Sequence, residues 1–257
     1  GHGLPFDADG IKARYPDVFF SQFSGAELVA EKWKLSREML DEFALSSHQK
    51  AANATENKYF DKEIVPVQGK NSENNDSMVL QDEGIRFDAS FEALSGLNPV
   101  TEGGVITAGN ASQITDGAAA VLVCNDAGLK KIKCDPLVKV KGISVVGDDP
   151  ILMLTGPIPA TKKVLSESKL NIDEIGLYEV NEAFAPVPLA WEIEVKADRS
   201  KLNVNGGAMA LGHPLGASGA KLMTTLIYEM HRRNEKYGLQ AICEGGGTAN
   251  ATILEKI

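Results

Sequence analysis

The chain has 257 residues, a formal net charge of -9 at pH 7 and three cysteines. The negative charge argues against nucleic acid or an anionic membrane surface as the main partner. An odd number of cysteines without paired spacing argues against a disulfide scaffold and favours a reducing compartment, so we expect a cytoplasmic location. Four histidines without paired cysteines give no support for a metal site. No apolar stretch approaches the length that spans a bilayer, so we expect no membrane partner.

The predicted elements change in character along the chain. Residues 1 to about 110 are polar and helix-prone, and serines before acidic positions predict helix starts at Ser24 and at Ser36. From about residue 105, apolar runs alternate with glycine turns and helical segments. We predict strands over residues 118–124, 137–145, 175–180, 239–243 and 252–255. This alternation predicts a layered α/β core with mixed strand directions.

A glycine-dense segment, residues 203–220, contains a single histidine, His213. Gly212 permits close backbone approach and unusual φ values, and Pro214 suits a first helical position. An imidazole at such a turn is suited to acid-base chemistry. The alternative is a packed glycine turn whose histidine has only a structural role.

Two further segments place polar side chains at the ends of predicted strands, where α/β proteins build their sites. Asn181 and Glu182 follow the predicted strand that ends at residue 180. Helix capping is the alternative role for Asn181, and for Glu182 we expect capping or structural hydrogen bonding. Cys243 ends another predicted strand and is followed by Glu244 and then three glycines from Gly245. The alternative for the cysteine is a small buried hydrophobe, and for the glycines a simple turn.

Taken together and in this order, the three segments resemble the C-terminal half of a thiolase. The resemblance continues upstream through residues 27–33, 41–49, 82–86 and 107–112. Ketoacyl synthases share the general layout but usually carry a histidine in place of Asn181 and lack a cysteine in place of Cys243. The resemblance implies a layered thiolase fold with mixed sheets. In it, residues 1–113 form a helical loop domain over the coenzyme A site, 114–135 the last piece of the N-terminal half, and 136–257 the C-terminal half.

The resemblance also implies roles for individual residues. His213 is the base for a nucleophilic thiol, Asn181 holds a water in the oxyanion hole, and Cys243 is the acid and base at the substrate α-carbon. The backbone N–H of Gly245 donates to a second oxyanion hole. Three further residues match positions that contact coenzyme A in the family, namely Arg86, Ala108 and Ser112. An ion pair of Arg86 with Asp82 or Glu83 is the alternative for that residue.

One part of the family pattern, the nucleophilic cysteine, has no match in these residues. Cys124 lies in a run that we predict to be a buried strand and Cys134 in a polar connector, so neither suits a reactive thiol. We expect the nucleophile upstream of this chain. The expected function is reversible Claisen condensation of acetyl-CoA and thiolysis of 3-ketoacyl-CoA, with coenzyme A thioesters as substrates, no tightly bound cofactor, and a homodimer or homotetramer. The alternative is a noncatalytic or partner-dependent coenzyme A binding subunit.

Overall fold

The structure is a computed structural model that describes residues 5–70 and 73–257. Its α-helices are α1 (Asp9–Arg14), α2 (Gln22–Lys32), α3 (Arg37–Glu56), α4 (Phe91–Ser95), α5 (Asp126–Ile132), α6 (Pro157–Ser168), α7 (Pro186–Val195), α8 (Ala208–Leu211) and α9 (Ser218–Arg233). Its strands are β1 (Val67–Lys70), β2 (Asp76–Val79), β3 (Val138–Gly147), β4 (Leu177–Val180), β5 (Tyr237–Cys243) and β6 (Thr248–Lys256). Within the described ranges, no helix is long and apolar enough to cross a membrane.

The two predicted helix starts have different outcomes. Ser36 caps α3, because its Oγ accepts a hydrogen bond from the backbone N–H of Met39 at 3.3 Å, and that prediction is confirmed. The start predicted at Ser24 is wrong, because α2 already begins at Gln22. The backbone N–H of Gly25 donates to the carbonyl of Ser21, so the first turn closes upstream of Ser24.

A four-stranded mixed sheet, in the order β3-β6-β5-β4, forms the centre of the C-terminal part. β4 and β5 are parallel, whereas β6 runs antiparallel to both of its neighbours. Four of the predicted strands coincide with these elements, and the predicted mixed directions are confirmed. The antiparallel hairpin of β1 and β2 was not predicted from the sequence.

Helices cover both faces of this sheet, and side chains alternate between the faces along each strand. On one face, Tyr178 and Val180 of β4 belong to the main hydrophobic core, together with Trp191 of α7. On the other face, Leu177 packs with Met230 and other apolar residues of α9. Glu179 and Asn181 therefore share the α9 face, which decides the surroundings of both side chains.

The strand predicted over residues 118–124 is wrong. The segment has no strand assignment, and Leu122 and Val123 are 74% and 73% exposed. Its apolar composition is typical of a buried strand, but a strand also requires a hydrogen-bonded neighbour. Within the described residues, no strand pairs with this segment. Cys124 at its end is consequently exposed, not buried as the pattern predicted.

Candidate active site

His213 lies in a sharp loop between α8 and α9. Gly212, before it, has φ +83, and an added Cβ there would lie 2.4 Å from Oγ1 of Thr115. The backbone N–H of His213 donates to the carbonyl of Gln113 at 3.0 Å, which ties the loop to an upstream segment. Pro214 is not the first residue of a helix, as predicted, because α9 begins at Ser218 after a turn.

The hydrogen bonds of His213 define which ring nitrogen carries the proton. Oγ of Ser218 donates to the carbonyl of Pro214 at 3.0 Å and lies 2.5 Å from Nδ1 of His213. We assign the hydroxyl proton to the bond with Pro214, so that Nδ1–H donates to Oγ and Nε2 keeps its lone pair. Burial lowers the pKa of His213, which favours the neutral imidazole. The ring is therefore arranged to accept a proton at Nε2.

Asn181 provides the second polar group beside this nitrogen. It directly follows β4, is fully buried, and lies with Nδ2 at 3.3 Å from Nε2 of His213. The amide N–H thus donates to the lone pair of the imidazole. Helix capping by Asn181 is wrong, because the next helix begins at Pro186.

Glu182, next to Asn181, has a structural role. Its Oε2 accepts hydrogen bonds from Oγ of Ser47 at 2.7 Å and from the backbone N–H of Met209 at 3.2 Å, and its Oε1 accepts one from Nδ2 of Asn203 at 2.9 Å. These bonds connect α3, the end of β4 and the start of α8. Glu182 thereby holds the loop of His213 against the sheet.

Cys243 lies at the end of β5 and is buried. Burial raises the pKa of its thiol to about 12, with a smaller contribution from the carboxylate of Glu244, so the protonated thiol is the resting form. The next residues form a tight turn in which Gly246 has φ +76 and Gly247 has φ +83. At Gly245, an added Cβ would meet no atom of the described residues within 4 Å, so this side of the backbone is open with respect to them.

A cavity of about 300 Å³ brings these groups together. Its walls include His213, Cys243 and Gly245, and Ser218 contributes to them as well. Asn181 is not part of the wall but contacts His213. The remaining lining residues are Gln22, Leu154, Ala183, Leu215, Gly219, Ile242, Glu244 and Asn250. The four residues predicted to be catalytic thus converge on one place, although 64 positions separate Asn181 from Gly245.

The residues predicted to contact coenzyme A lie outside the cavity wall. Ser112 is the nearest by contact, because its backbone N–H donates to the carbonyl of the cavity residue Ala183 at 2.9 Å. The Arg86 and Ala108 positions are exposed at the surface. Among the described residues, no ion pair joins Arg86 to Asp82 or Glu83.

Asp82 instead pairs with Lys221 at 3.3 Å. The backbone N–H of Arg86 donates to Nδ1 of His48 at 3.2 Å. Burial, together with the nearby charge of Arg86, lowers the pKa of His48 to about 4, so this histidine is neutral and structural. His231, at the exposed end of α9, contacts the carbonyl of Leu137, and His2 lies outside the described residues.

Cys124 and Cys134 are both exposed, and neither is among the residues that line the cavity. In the part of the chain that the structure describes, no three His, Cys, Asp or Glu side chains cluster in a way that could hold a metal ion. Cys243 is therefore the thiol that the cavity presents.

Sequence reasoning missed two residues of this site. Ser218 orients His213 through Nδ1, and Gln113 holds its backbone. Nε2 of Gln113 also donates to the carbonyls of Gly84 and Met209, at 2.8 and 2.7 Å. A serine at the start of a helix, five positions after a candidate base, was a usable signal for Ser218. No local pattern pointed to Gln113.

Comparison with known proteins agrees with this geometry. Residues 9–127 match the family model of the thiolase N-terminal domain, and residues 134–256 match that of the thiolase C-terminal domain. The chain therefore belongs to the thiolase family. It is 50% identical to the steroid 3-ketoacyl-CoA thiolase FadA6 of Mycobacterium tuberculosis, over 95% of this chain and 58% of that protein.

The chain is also 43% identical to an acetyl-CoA acetyltransferase of Cupriavidus necator, over 93% of this chain and 62% of that protein. Among solved structures, the acetyl-CoA acetyltransferase of Bacillus anthracis superposes with a TM-score of 0.89 at 39% identity, covering 94% of this chain and 61% of that one. Human mitochondrial 3-ketoacyl-CoA thiolase in complex with CoA superposes with a TM-score of 0.87 at 41% identity, covering 91% of this chain and 58% of that one. The chain thus spans about three fifths of the length of these relatives.

Proposed function

We propose that the protein is an acyltransferase of the thiolase type, which cleaves 3-ketoacyl-CoA with coenzyme A and catalyses the reverse condensation of acetyl-CoA. The observation that carries the proposal is that His213, Cys243 and Gly245 line one cavity and that Asn181 contacts His213. The names of the similar proteins support the same activity and coenzyme A thioesters as substrates.

In this proposal, His213 acts first as a base. Its unprotonated Nε2 accepts the proton of the nucleophilic thiol, and the thiolate then attacks the 3-keto carbon of the substrate. Ser218 keeps the proton on Nδ1, so Nε2 is unprotonated, and transfer of the thiol proton to Nε2 replaces its hydrogen bond from Asn181. Asn181 is proposed to hold a water in the oxyanion hole through its neutral amide, which adds no charge that would compete with an oxygen gaining negative charge.

Cys243 acts at the α-carbon. When the carbon–carbon bond of the substrate breaks in thiolysis, the electron pair remains on the acetyl-CoA fragment, and the Cys243 thiol donates its proton to that carbon. The raised pKa of Cys243 supports this role, because the thiol is protonated before the step. In the condensation direction the same sulfur, as thiolate, removes the α-proton. The N–H of Gly245 stabilises the thioester oxygen of the acyl-enzyme.

The nucleophilic cysteine is proposed to come from residues outside these 257, since the other two cysteines are exposed and apart from the cavity. Arg86, Ala108 and Ser112 are proposed to contact coenzyme A. The division into a loop domain (1–113), the last piece of the N-terminal half (114–135) and the C-terminal half (136–257) stays a proposal. We also propose a homo-oligomer and a cytoplasmic location. The exposed apolar residues Ile143 and Val145 of β3 support the homo-oligomer.

The experiment that tests this function is intact mass spectrometry of the natively expressed polypeptide before and after exposure to acetoacetyl-CoA. An acetyl adduct, lost again when coenzyme A is added, is the expected result. A polypeptide that binds coenzyme A but never becomes acetylated would overturn the proposal. That result would favour a noncatalytic or partner-dependent binding subunit.

A further inference from the structure

A second, much smaller cavity lies on the α9 face of the sheet, behind Asn181. Its volume is about 10 Å³, and its walls include Glu179, Asn181, Gly212, Ser218 and Thr225. This volume is close to the minimum that holds one water molecule, provided that polar groups surround it. Asn181 and Ser218, which both contact His213, thus form part of the wall.

Two fully buried oxygens of residues that line this cavity have no hydrogen-bond partner among the described residues. They are Oε2 of Glu179 and Oδ1 of Asn181. Glu179 is 2% exposed and Asn181 is 0% exposed. Residues two positions apart at the end of a strand point to the same face, so both side chains are directed to the α9 side where the cavity lies. A buried polar atom without a partner is unfavourable, and an ordered water is the usual partner of such an atom.

The surroundings of Glu179 favour its neutral form. Burial raises the pKa of its carboxyl group well above the ordinary value. The carboxyl groups of Glu182, Glu63 and Glu229 raise this pKa further, whereas the ammonium group of Lys50 acts in the opposite direction. A protonated carboxyl group is a donor as well as an acceptor, so Glu179 can donate to a water in the cavity.

We propose that Glu179 is a positioning residue for Asn181: its O–H donates to a single buried water, and that water donates to Oδ1 of Asn181. This proposal rests on the proposed function for its catalytic meaning. With Oδ1 held by the water, Nδ2 faces Nε2 of His213. If the amide rotated by half a turn, Oδ1 would face the lone pair of Nε2, and two acceptors would then oppose each other. The water and the lone pair of Nε2 thus favour the same orientation of the amide, and the water additionally holds Oδ1 in place.

Two variants of Glu179 separate this role from simple packing. Glu179→Gln keeps the shape and a donor, whereas Glu179→Leu keeps much of the volume but removes both donor and acceptor. Thermal melting of each variant checks that it folds. High-resolution crystal structures of the wild-type and variant chains show whether the water is present and how the amide of Asn181 is oriented. They require no enzymatic activity, so they test the positioning step even if the proposed function fails.

We expect one water within hydrogen-bond distance of Oε2 of Glu179 and Oδ1 of Asn181 in the wild type and in Glu179→Gln, but not in Glu179→Leu. In the natively expressed polypeptide, Glu179→Leu should lower kcat for thiolysis about tenfold with little change in KM, since one orienting hydrogen bond is lost. Glu179→Gln should stay within about twofold of the wild type. A dry cavity in the wild type, an unchanged kcat in Glu179→Leu, or an equal loss in both variants would overturn the proposal.

Discussion

Nδ2 of Asn181 lies 3.3 Å from Nε2 of His213, although the two residues are 32 positions apart in the chain. The amide donates to the unprotonated ring nitrogen, because Ser218 contacts the protonated one. Asn181 directly follows β4, and His213 lies in the loop before α9. The distance between the two side chains therefore depends on how β4 and this loop pack together. Glu182 supports this packing from behind through bonds to α3 and to α8.

Replacing the imidazole should remove catalysis and leave the fold intact. His213→Ala in the natively expressed polypeptide is expected to lower kcat for thiolysis by about 10²- to 10⁴-fold, the usual contribution of a general base. The matched control is His231→Ala, since His231 is exposed and its contact is with the carbonyl of Leu137. We expect the control to keep its rate. Steady-state kinetics of both variants provide the measurement. A wild-type rate in His213→Ala contradicts the proposed role of His213 as a general base.

The thiol of Cys243 should be the slowest of the three to alkylate. The thiolate is the reactive form, and burial raises the pKa of Cys243 to about 12, whereas Cys124 and Cys134 are exposed. Limited iodoacetamide treatment at neutral pH, followed by peptide mass spectrometry, should therefore find label on Cys124 and Cys134 before Cys243. The comparison requires folded protein, and denaturation should abolish the difference. Preferential labelling of Cys243 in the folded chain would show that its pKa is not raised.

Two glycines in the loop around His213 should respond differently to an added methyl group. Gly212 has φ +83, and a Cβ there would collide with Thr115. Gly212→Ala is expected to lower the free energy of unfolding by about 1–3 kcal/mol. Gly216, four residues later, has open space around it, so Gly216→Ala should change the same quantity by less than about 0.5 kcal/mol. Urea denaturation of both variants provides the measurement, and equal stability of the two contradicts the structure of this turn.

Acid should destabilise the protein through His48. The pKa of this histidine is about 4 in the folded chain and near 6.5 when unfolded, so the unfolded state binds more protons between these values. Stability that is present above pH 6.5 is thus lost as the pH falls towards 4, by up to about 3 kcal/mol. In His48→Gln, whose side-chain oxygen can still accept from the N–H of Arg86, the loss over this pH range should be smaller. Urea denaturation at several pH values tests this, and identical pH profiles of the two proteins would refute it.

Local patterns in the sequence were sufficient for several elements. Ser36 capped α3 as predicted, and four apolar runs became strands of one mixed sheet. The positions of Asn181 and Cys243 at strand ends followed from the same patterns. These features depend on backbone preferences and on the spacing of apolar residues within a few positions of each other, which the sequence contains directly.

Three features were decided by the tertiary structure alone. The apolar run 118–124 is exposed because no described strand pairs with it, Nδ1 of His213 contacts Oγ of Ser218, and two unpartnered buried oxygens belong to residues that line one small cavity. The sequence by itself determined the family, the four strands of the mixed sheet and a set of candidate site residues. Which atoms face each other was decided only by packing, because burial and hydrogen-bond partners depend on elements that are distant in the chain and adjacent in space.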